Sequence, residues 1–243
     1  MIAMVRSAVY IAIFYTGSVF FVVTAFFAQW FSIPLMQWAV RGWSRWQYAC
    51  YRRILGITIK IEGHLPHKPV LYAIKHESMF ETIDMPRMFN KPAVVTKKEL
   101  FDIPFWGPAA RAYGMIPVDR NGGASALRAM LVLAKKMIAD GRPIVIFPEG
   151  TRVAPGSQPP LQSGFAGLYK LINLPVVPIA VNSGTLSPRK AGIWKSGTIT
   201  YKVGESFYEP AGSRHFESSN ASQTQPAKLL VVMVLDDKAE VLT

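Results

Sequence analysis

The distribution of apolar and polar positions changes character twice along the chain. Positions 7 to 40 contain no charged residue, and within them 8–28 form an almost continuous apolar run rich in Phe, Val and Ile. A run of that length is long enough to cross a bilayer. It lacks the short apolar core and small-residue cleavage site of a secretory signal. The competing account is a helix buried in a protein core.

The next segment has a helical period. On a helix over 35–55, starting after Pro34, Arg41, Arg45 and Arg52 fall on one side; Met36, Ala39, Val40, Trp43, Trp46 and Cys50 fall on the other. Four of the six tryptophans lie between Trp30 and Trp46, as in an interfacial aromatic belt. The pattern predicts an amphipathic helix along the headgroups, its arginines held by acidic lipid. It leaves open whether the first helix spans the bilayer or dips into one leaflet and returns at Pro34. If it spans, the arginines after it place the remainder on the cytoplasmic side.

From about position 57 the period shortens. Apolar, β-branched runs at 57–61, 70–74, 93–95, 115–118, 144–147, 176–181 and 199–203 read as strands. Between them 125–140 carries Leu127, Met130, Leu131, Ala134, Met137 and Ile138 at helical spacing, with Gly141 as its stop. Strands alternating with helices predict an α/β fold: a mixed, largely parallel sheet flanked by helices, with an N-terminal membrane-associated helical hairpin. The expected organisation is 1–56 membrane-anchoring helices, 57–210 an α/β domain and 211–243 a tail. Within the tail, 218–226 is polar and 229–235 is a candidate last strand or helix.

Composition supports the membrane reading. Half of the 243 residues are hydrophobic, and 27 Lys and Arg against 15 Asp and Glu give a net charge of +12. Such a balance favours polyanions, and with this hydrophobicity an anionic membrane surface or a phosphorylated substrate explains it better than nucleic acid, for which no binding module is present. The single cysteine, Cys50, excludes an internal disulfide and a cysteine-cluster metal site. No acidic or cysteine cluster joins His64 and His67, so no metal is expected. GxGxxG, P-loop and GxSxG patterns are missing, so nucleotide-dependent redox chemistry, ATP use and serine-hydrolase chemistry lack their markers.

Candidate chemistry gathers at predicted strand ends. After 70–74 comes Lys75-His76-Glu77-Ser78-Met79-Phe80-Glu81. On one continuous helix His76 and Glu81 would stand about 140° apart, so they meet only if His76 lies in the turn before a helix and Glu81 in its first turn. The carboxylate would then fix the imidazole tautomer, and the other ring nitrogen could take a proton from a hydroxyl. The next strands end at Lys97 and at Asp119-Arg120. A fourth ends at Phe147-Pro148-Glu149-Gly150-Thr151-Arg152, where Pro148 stops the ladder, Gly150 allows a tight turn and Arg152 offers a phosphate-binding fork. One base-like pair with three cationic positions suits a hydroxyl substrate that carries phosphate.

These blocks, in this order, resemble the glycerolipid acyltransferase family, and within it the bacterial 1-acylglycerol-3-phosphate acyltransferases. The resemblance covers roughly 57–207: the His-x4-acid block His76 to Glu81, the Gly-x-Ile-x-x-Asp-Arg block Gly114 to Arg120, Phe147 to Arg152, and Val177-Pro178-Ile179-Ala180. The family usually has Asp where this chain has Glu81. The resemblance implies transfer of a fatty acyl group from acyl-CoA or acyl-carrier protein to the sn-2 hydroxyl of lysophosphatidic acid, forming phosphatidic acid. His76 would be the base and Glu81 its orienter, while Lys97, Arg120, Glu149, Gly150, Thr151 and Arg152 would bind the acceptor's phosphate. It implies no cofactor or metal, since the thioester is already activated, and backbone N–H groups near Gly150 as candidate oxyanion donors. Its implied setting is the bacterial inner membrane, with the catalytic domain on the cytoplasmic side and membrane lipids as partners. Other acceptors (glycerol 3-phosphate, a lysophospholipid, a lyso-ornithine lipid), a thioesterase and a non-catalytic anionic-lipid-binding protein are the alternatives.

Overall fold

The computed structural model describes residues 1–66, 68–189 and 192–204. The candidate element at 229–235 and the expected tail lie outside the described residues.

Helix α1 (Ile2–Ala28) runs antiparallel to α2 (Ile33–Cys50), forming a hairpin whose turn is closed by Ser32, the N-cap of α2, with Pro34 in the first helical turn. The pairing is close because small residues face bulky ones. A side chain at Gly17 would collide with the Trp46 indole, and one at Gly42 with the Phe21 ring. Trp43 Nε1 donates to Ser18 Oγ across the hairpin at 2.8 Å. The last turn, Tyr51–Leu55, widens into a π-helical turn and ends at Gly56, which adopts φ 68°. Arg41, Arg45 and Arg52 are exposed and Met36, Ala39 and Cys50 buried, as the helical period predicts. The inner face does not lie on headgroups, however: it packs against α1 and against α3 (Phe80–Met88).

Seven strands form one sheet: β1 (Ile57–Glu62), β2 (Leu71–Ile74), β3 (Ala93–Lys97), β4 (Ile116–Val118), β5 (Ile144–Ile146), β6 (Val176–Val181) and β7 (Gly197–Val203). Their order is β1-β7-β6-β2-β5-β3-β4. All neighbours are parallel except β6 and β7. The mixed, largely parallel sheet expected from the sequence is the observed one. Helices α4 (Trp106–Tyr113), α5 (Gly123–Ala139) and α6 (Ser163–Ile172) are the remaining α-helices among the described residues.

Alternation along the strands sorts the core into two layers. Leu71, Ala73, Ile144 and Ile146 face Met130, Ala134 and Met137 of α5 and Phe165 and Leu168 of α6. Tyr72, Ile74, Val145, Ile179 and Tyr201 point the other way, onto Tyr10 and Phe14 of α1, Cys50 at the end of α2 with Tyr51 beyond it, and Phe80 and Ile83 of α3. The N-terminal hairpin is therefore the outer cover of one sheet face as well as an apolar segment. At its far end Ala25, Ala28, Met36 and Ala39 meet Ala109 and Tyr113 of α4.

Candidate active site

Strands β2, β5, β3 and β4 are successive neighbours and all parallel, so their carboxyl ends share one rim. His76 follows β2, the Phe147–Arg152 turn follows β5, Lys97 ends β3, and Arg120 follows β4. One cavity of about 760 Å³ takes His76, Lys97, Arg120, Gly150, Thr151 and Arg152 into its walls.

The His76–Glu81 pair forms as the spacing requires. His76 lies in the turn after β2 and Glu81 in the first turn of α3, with Nδ1 and Oε1 3.0 Å apart. The Nδ1 atom is therefore committed to the carboxylate, and Nε2 is the ring nitrogen left for substrate. The ring rests on Phe147, centroid to centroid 4.6 Å, and the Val153 N–H binds the His76 carbonyl at 2.7 Å. Glu81 is wholly buried, and beyond His76 its carboxylate accepts from Glu77 N (2.6 Å), Ser78 N (2.7 Å), Ser78 Oγ (2.8 Å) and Ser183 Oγ (2.6 Å). That donor set compensates the loss of water around an ionised group.

The cations sort themselves by their neighbours. Lys98 takes Asp119 as its partner, which holds that carboxyl below the usual carboxylate range. Lys97 and Arg120 are left on the cavity wall. The first residues of α5, Gly123 and Ala124, line the same wall, so the positive end of a helix adds to it. Gly150 sits at φ 66°, a conformation that favours glycine, and a side chain there would meet Gln162, with the Arg120 guanidinium just beyond.

Two expectations are placed differently. Glu149 is not on the cavity wall; it is buried behind the turn, 3.6 Å from Lys75 Nζ. A carboxylate aimed at a phosphate site would repel its ligand, and Lys75, which also donates to Ser157 O at 2.8 Å, holds it away. The Gly150 N–H is spent on Phe147 O at 2.8 Å inside the turn, so it is not free for an oxyanion. The residues that sequence reasoning passed over are Glu77, Ser78 and Ser183. Glu77 is buried and takes the Gly184 N–H at 3.0 Å; burial pushes its carboxyl up, and that N–H pulls it back. Ser78 was open to notice two places after His76. Ser183, 105 residues beyond Ser78, carried no signal.

Away from the charged rim the cavity is apolar. It runs beneath the hairpin between Phe21, Val22, Ala25, Val40 and Trp43 on one side and Trp106, Ala110 and Tyr113 on the other. No group of three or more His, Cys, Asp or Glu side chains among the described residues is arranged to hold a metal ion.

A histidine–carboxylate pair beside fixed cations, opening into an apolar slot at the rim of an α/β sheet, is the equipment of an enzyme that transfers acyl groups. The chain belongs to the acyltransferase family, whose model, described as Acyltransferase, matches residues 56–182. Among its relatives is a 1-acyl-sn-glycerol-3-phosphate acyltransferase of Pseudomonas aeruginosa, 30% identical over 187 residues covering 76% of this chain and 73% of that protein. Another, of the same description, is from Saccharomyces cerevisiae, 27% identical over 175 residues, 70% of this chain and 57% of the yeast protein. In fold it is similar to the crystal structure of the 1-acyl-sn-glycerophosphate (LPA) acyltransferase PlsC from Thermotoga maritima, with TM-score 0.66 and 17% identity over 84% of this chain and 86% of that one.

Proposed function

We propose that this chain is a membrane-bound 1-acylglycerol-3-phosphate O-acyltransferase, moving a fatty acyl group from acyl-CoA or acyl-carrier protein to the sn-2 hydroxyl of lysophosphatidic acid. The observation that carries this reading is the shared cavity: a histidine with a free Nε2, three cations and an apolar slot within one enclosure. The acceptor is a hydroxyl, a phosphate and a fatty chain, and each finds its counterpart there. The donor's acyl chain asks for apolar walls as well.

In the reaction, His76 Nε2 takes the sn-2 hydroxyl proton as that oxygen attacks the thioester carbonyl. The resulting imidazolium is held by Glu81. Collapse of the tetrahedral intermediate forms the ester and expels the thiolate, which receives the proton from His76. Lys97, Arg120 and Arg152 hold the acceptor's phosphate, and the α5 N-terminus reinforces them.

The hairpin supports a single-leaflet attachment. α1 has the length and hydropathy of a spanning helix, but both ends are pinned to the same globular body. Near its start, Ser7 Oγ accepts from Trp194 N at 3.0 Å; near its end, Ala25 and Ala28 pack on α4. These contacts favour a helix that stays with the domain over one that leaves it to cross the bilayer. Its outer face, with Val19, Phe20, Phe27, Trp30, Phe31 and Trp38 exposed, is the surface that enters lipid. Attachment to a bacterial inner membrane fits this acceptor and product, since lysophosphatidic acid and phosphatidic acid both reside in the bilayer.

The test is acyl transfer from long-chain acyl-CoA to a panel of acceptors by wild type and His76→Ala. Lysophosphatidic acid is expected to be the preferred acceptor, and His76→Ala to abolish transfer while retaining the wild-type melting temperature. Wild-type-like turnover by His76→Ala would remove the base. Preference for another lysolipid would reassign the acceptor, and acceptor-independent release of fatty acid would make the protein a thioesterase.

A further inference from the structure

Glu81 is a buried anion whose neighbours come from two separate places. Its Oε1 is served only by its own turn: His76 Nδ1, Glu77 N and Ser78 N at 3.0, 2.6 and 2.7 Å. Its Oε2 receives Ser78 Oγ at 2.8 Å and Ser183 Oγ at 2.6 Å, and Ser183 sits on the turn Ser183–Thr185 directly after β6. Ser183 is fully buried and also lies 3.0 Å from Ser78 Oγ, while Ser78 Oγ accepts from Phe80 N at 3.1 Å. The neighbouring Gly184 N–H holds Glu77, and a side chain at Gly184 would stand 2.9 Å from Glu77 Cβ. The turns after two adjacent parallel strands are thus clamped together at the carboxylate.

The last torsion of a glutamate side chain is soft, so an oxygen held only from one side can swing. Glu81 is long, and its Oε1 must keep facing Nδ1 while the imidazole gains and loses a proton. We propose that Ser183 is a positioning residue for acyl transfer: by donating its hydroxyl to Oε2 it locks the rotation of the Glu81 carboxylate and, through it, the aim of His76. It does not touch substrate, and it lies outside the cavity walls. The turnover arm of the test rests on the acyl-transfer reading above; the spectroscopic arm does not.

The turnover arm is a double-mutant cycle: Ser183→Ala, Glu81→Ala and the pair, assayed with long-chain acyl-CoA and lysophosphatidic acid in mixed micelles. Ser183→Ala is expected to lower kcat about tenfold with both KM values within about twofold. In the Glu81→Ala background the same change is expected to cost less than about twofold, because the group it acts through is gone. Ser187→Ala is the control: Ser187 lies just past the same turn but bonds Tyr51 OH at 2.8 Å, and its variant is expected to keep wild-type kcat.

The spectroscopic arm follows the imidazole Nδ1–H proton of His76 by NMR, assigned by its loss in His76→Ala; it is expected to shift and exchange faster in Ser183→Ala. If the alanine variant does not fold, Ser183→Cys, similar in shape though larger and with a weaker donor, replaces it with the same expected directions. Wild-type kcat in the folded Ser183 variant, an undiminished tenfold loss in the Glu81→Ala background, or an unmoved Nδ1–H signal would each overturn the assignment. If wild type itself does not acylate lysophosphatidic acid, the proposed acceptor fails, and the NMR arm still decides the role of Ser183.

Discussion

Replacing Glu81 by Gln isolates the charge of the carboxylate from its shape. The amide oxygen can still accept from Glu77 N, Ser78 N and His76 Nδ1, while the hydroxyls of Ser78 and Ser183 can rotate to accept from the new NH₂ group. What disappears is the attraction for the imidazolium formed when His76 takes the proton. The Nδ1–Oε1 distance is 3.0 Å, which puts the charge centres about 4 Å apart; at an effective dielectric near 20 the attraction is about 4 kcal/mol. His76 is only 14% exposed, so water recovers little of it. Losing about 3 kcal/mol of it slows the chemical step roughly 150-fold. Glu81→Asp keeps the charge but withdraws it by one methylene, about 1.5 Å, and is expected to cost about tenfold. The assay is acceptor-dependent thiol release from acyl-CoA in micelles, with KM expected to stay near wild type in both variants. A Gln variant retaining more than about a tenth of wild-type kcat, or outperforming the Asp variant, would show that the charge on Glu81 does not stabilise the transition state.

Three further outcomes follow from the geometry. Arg152→Ala is expected to raise the KM for lysophosphatidic acid at least tenfold with a smaller fall in kcat, and an unchanged KM in saturation kinetics would move phosphate binding to other residues. Asp84 is wholly buried between Arg87, which grips it at 2.6 and 2.7 Å, and Tyr201 OH at 3.2 Å. Asp84→Ala strands the Arg87 charge and is expected to cost about 3 kcal/mol, seen as a fall of about 6–12 °C in Tm. Glu77 has a folded-state pKa raised by burial, so the wild type gains stability as pH falls through that pKa and loses it as pH rises. Glu77→Gln is therefore expected to melt higher than wild type at neutral pH, with the advantage gone below the ordinary glutamate pKa of about 4.3; thermal melts showing a constant offset across pH would refute this.

Legibility in the sequence followed the range of the interactions. The helix over Gly123–Ala139 and each of the seven strands were readable to within a residue or two, because apolar periodicity is a local signal. β3 runs two residues past the apolar run at 93–95 and ends at Lys97 as expected, because pairing with β4 carries the ladder that far. α4 was not anticipated, since Trp106-Gly107-Pro108 reads as a break; there Gly107 lies against the Phe101 backbone, leaving no room for a side chain. The amphipathic faces of α2 were correctly divided by the 3.6-residue period, but that period cannot say whether an apolar face meets lipid or another helix, and here it meets α1 and α3.

By itself the sequence determined which residues would stand at strand ends, that His76 and Glu81 could pair only across a turn into a helix, and that 8–28 would be an almost continuous apolar segment. These are consequences of chain geometry over a few residues. The tertiary structure alone decided that β2, β5, β3 and β4 lie side by side, so that four strand ends far apart in sequence open into one cavity. It also decided that Glu149 turns back to Lys75 and that Ser183 reaches Glu81 from the turn after β6. Strand order and side-chain partners at long separation are set by how whole layers pack, and no local pattern of residues encodes that.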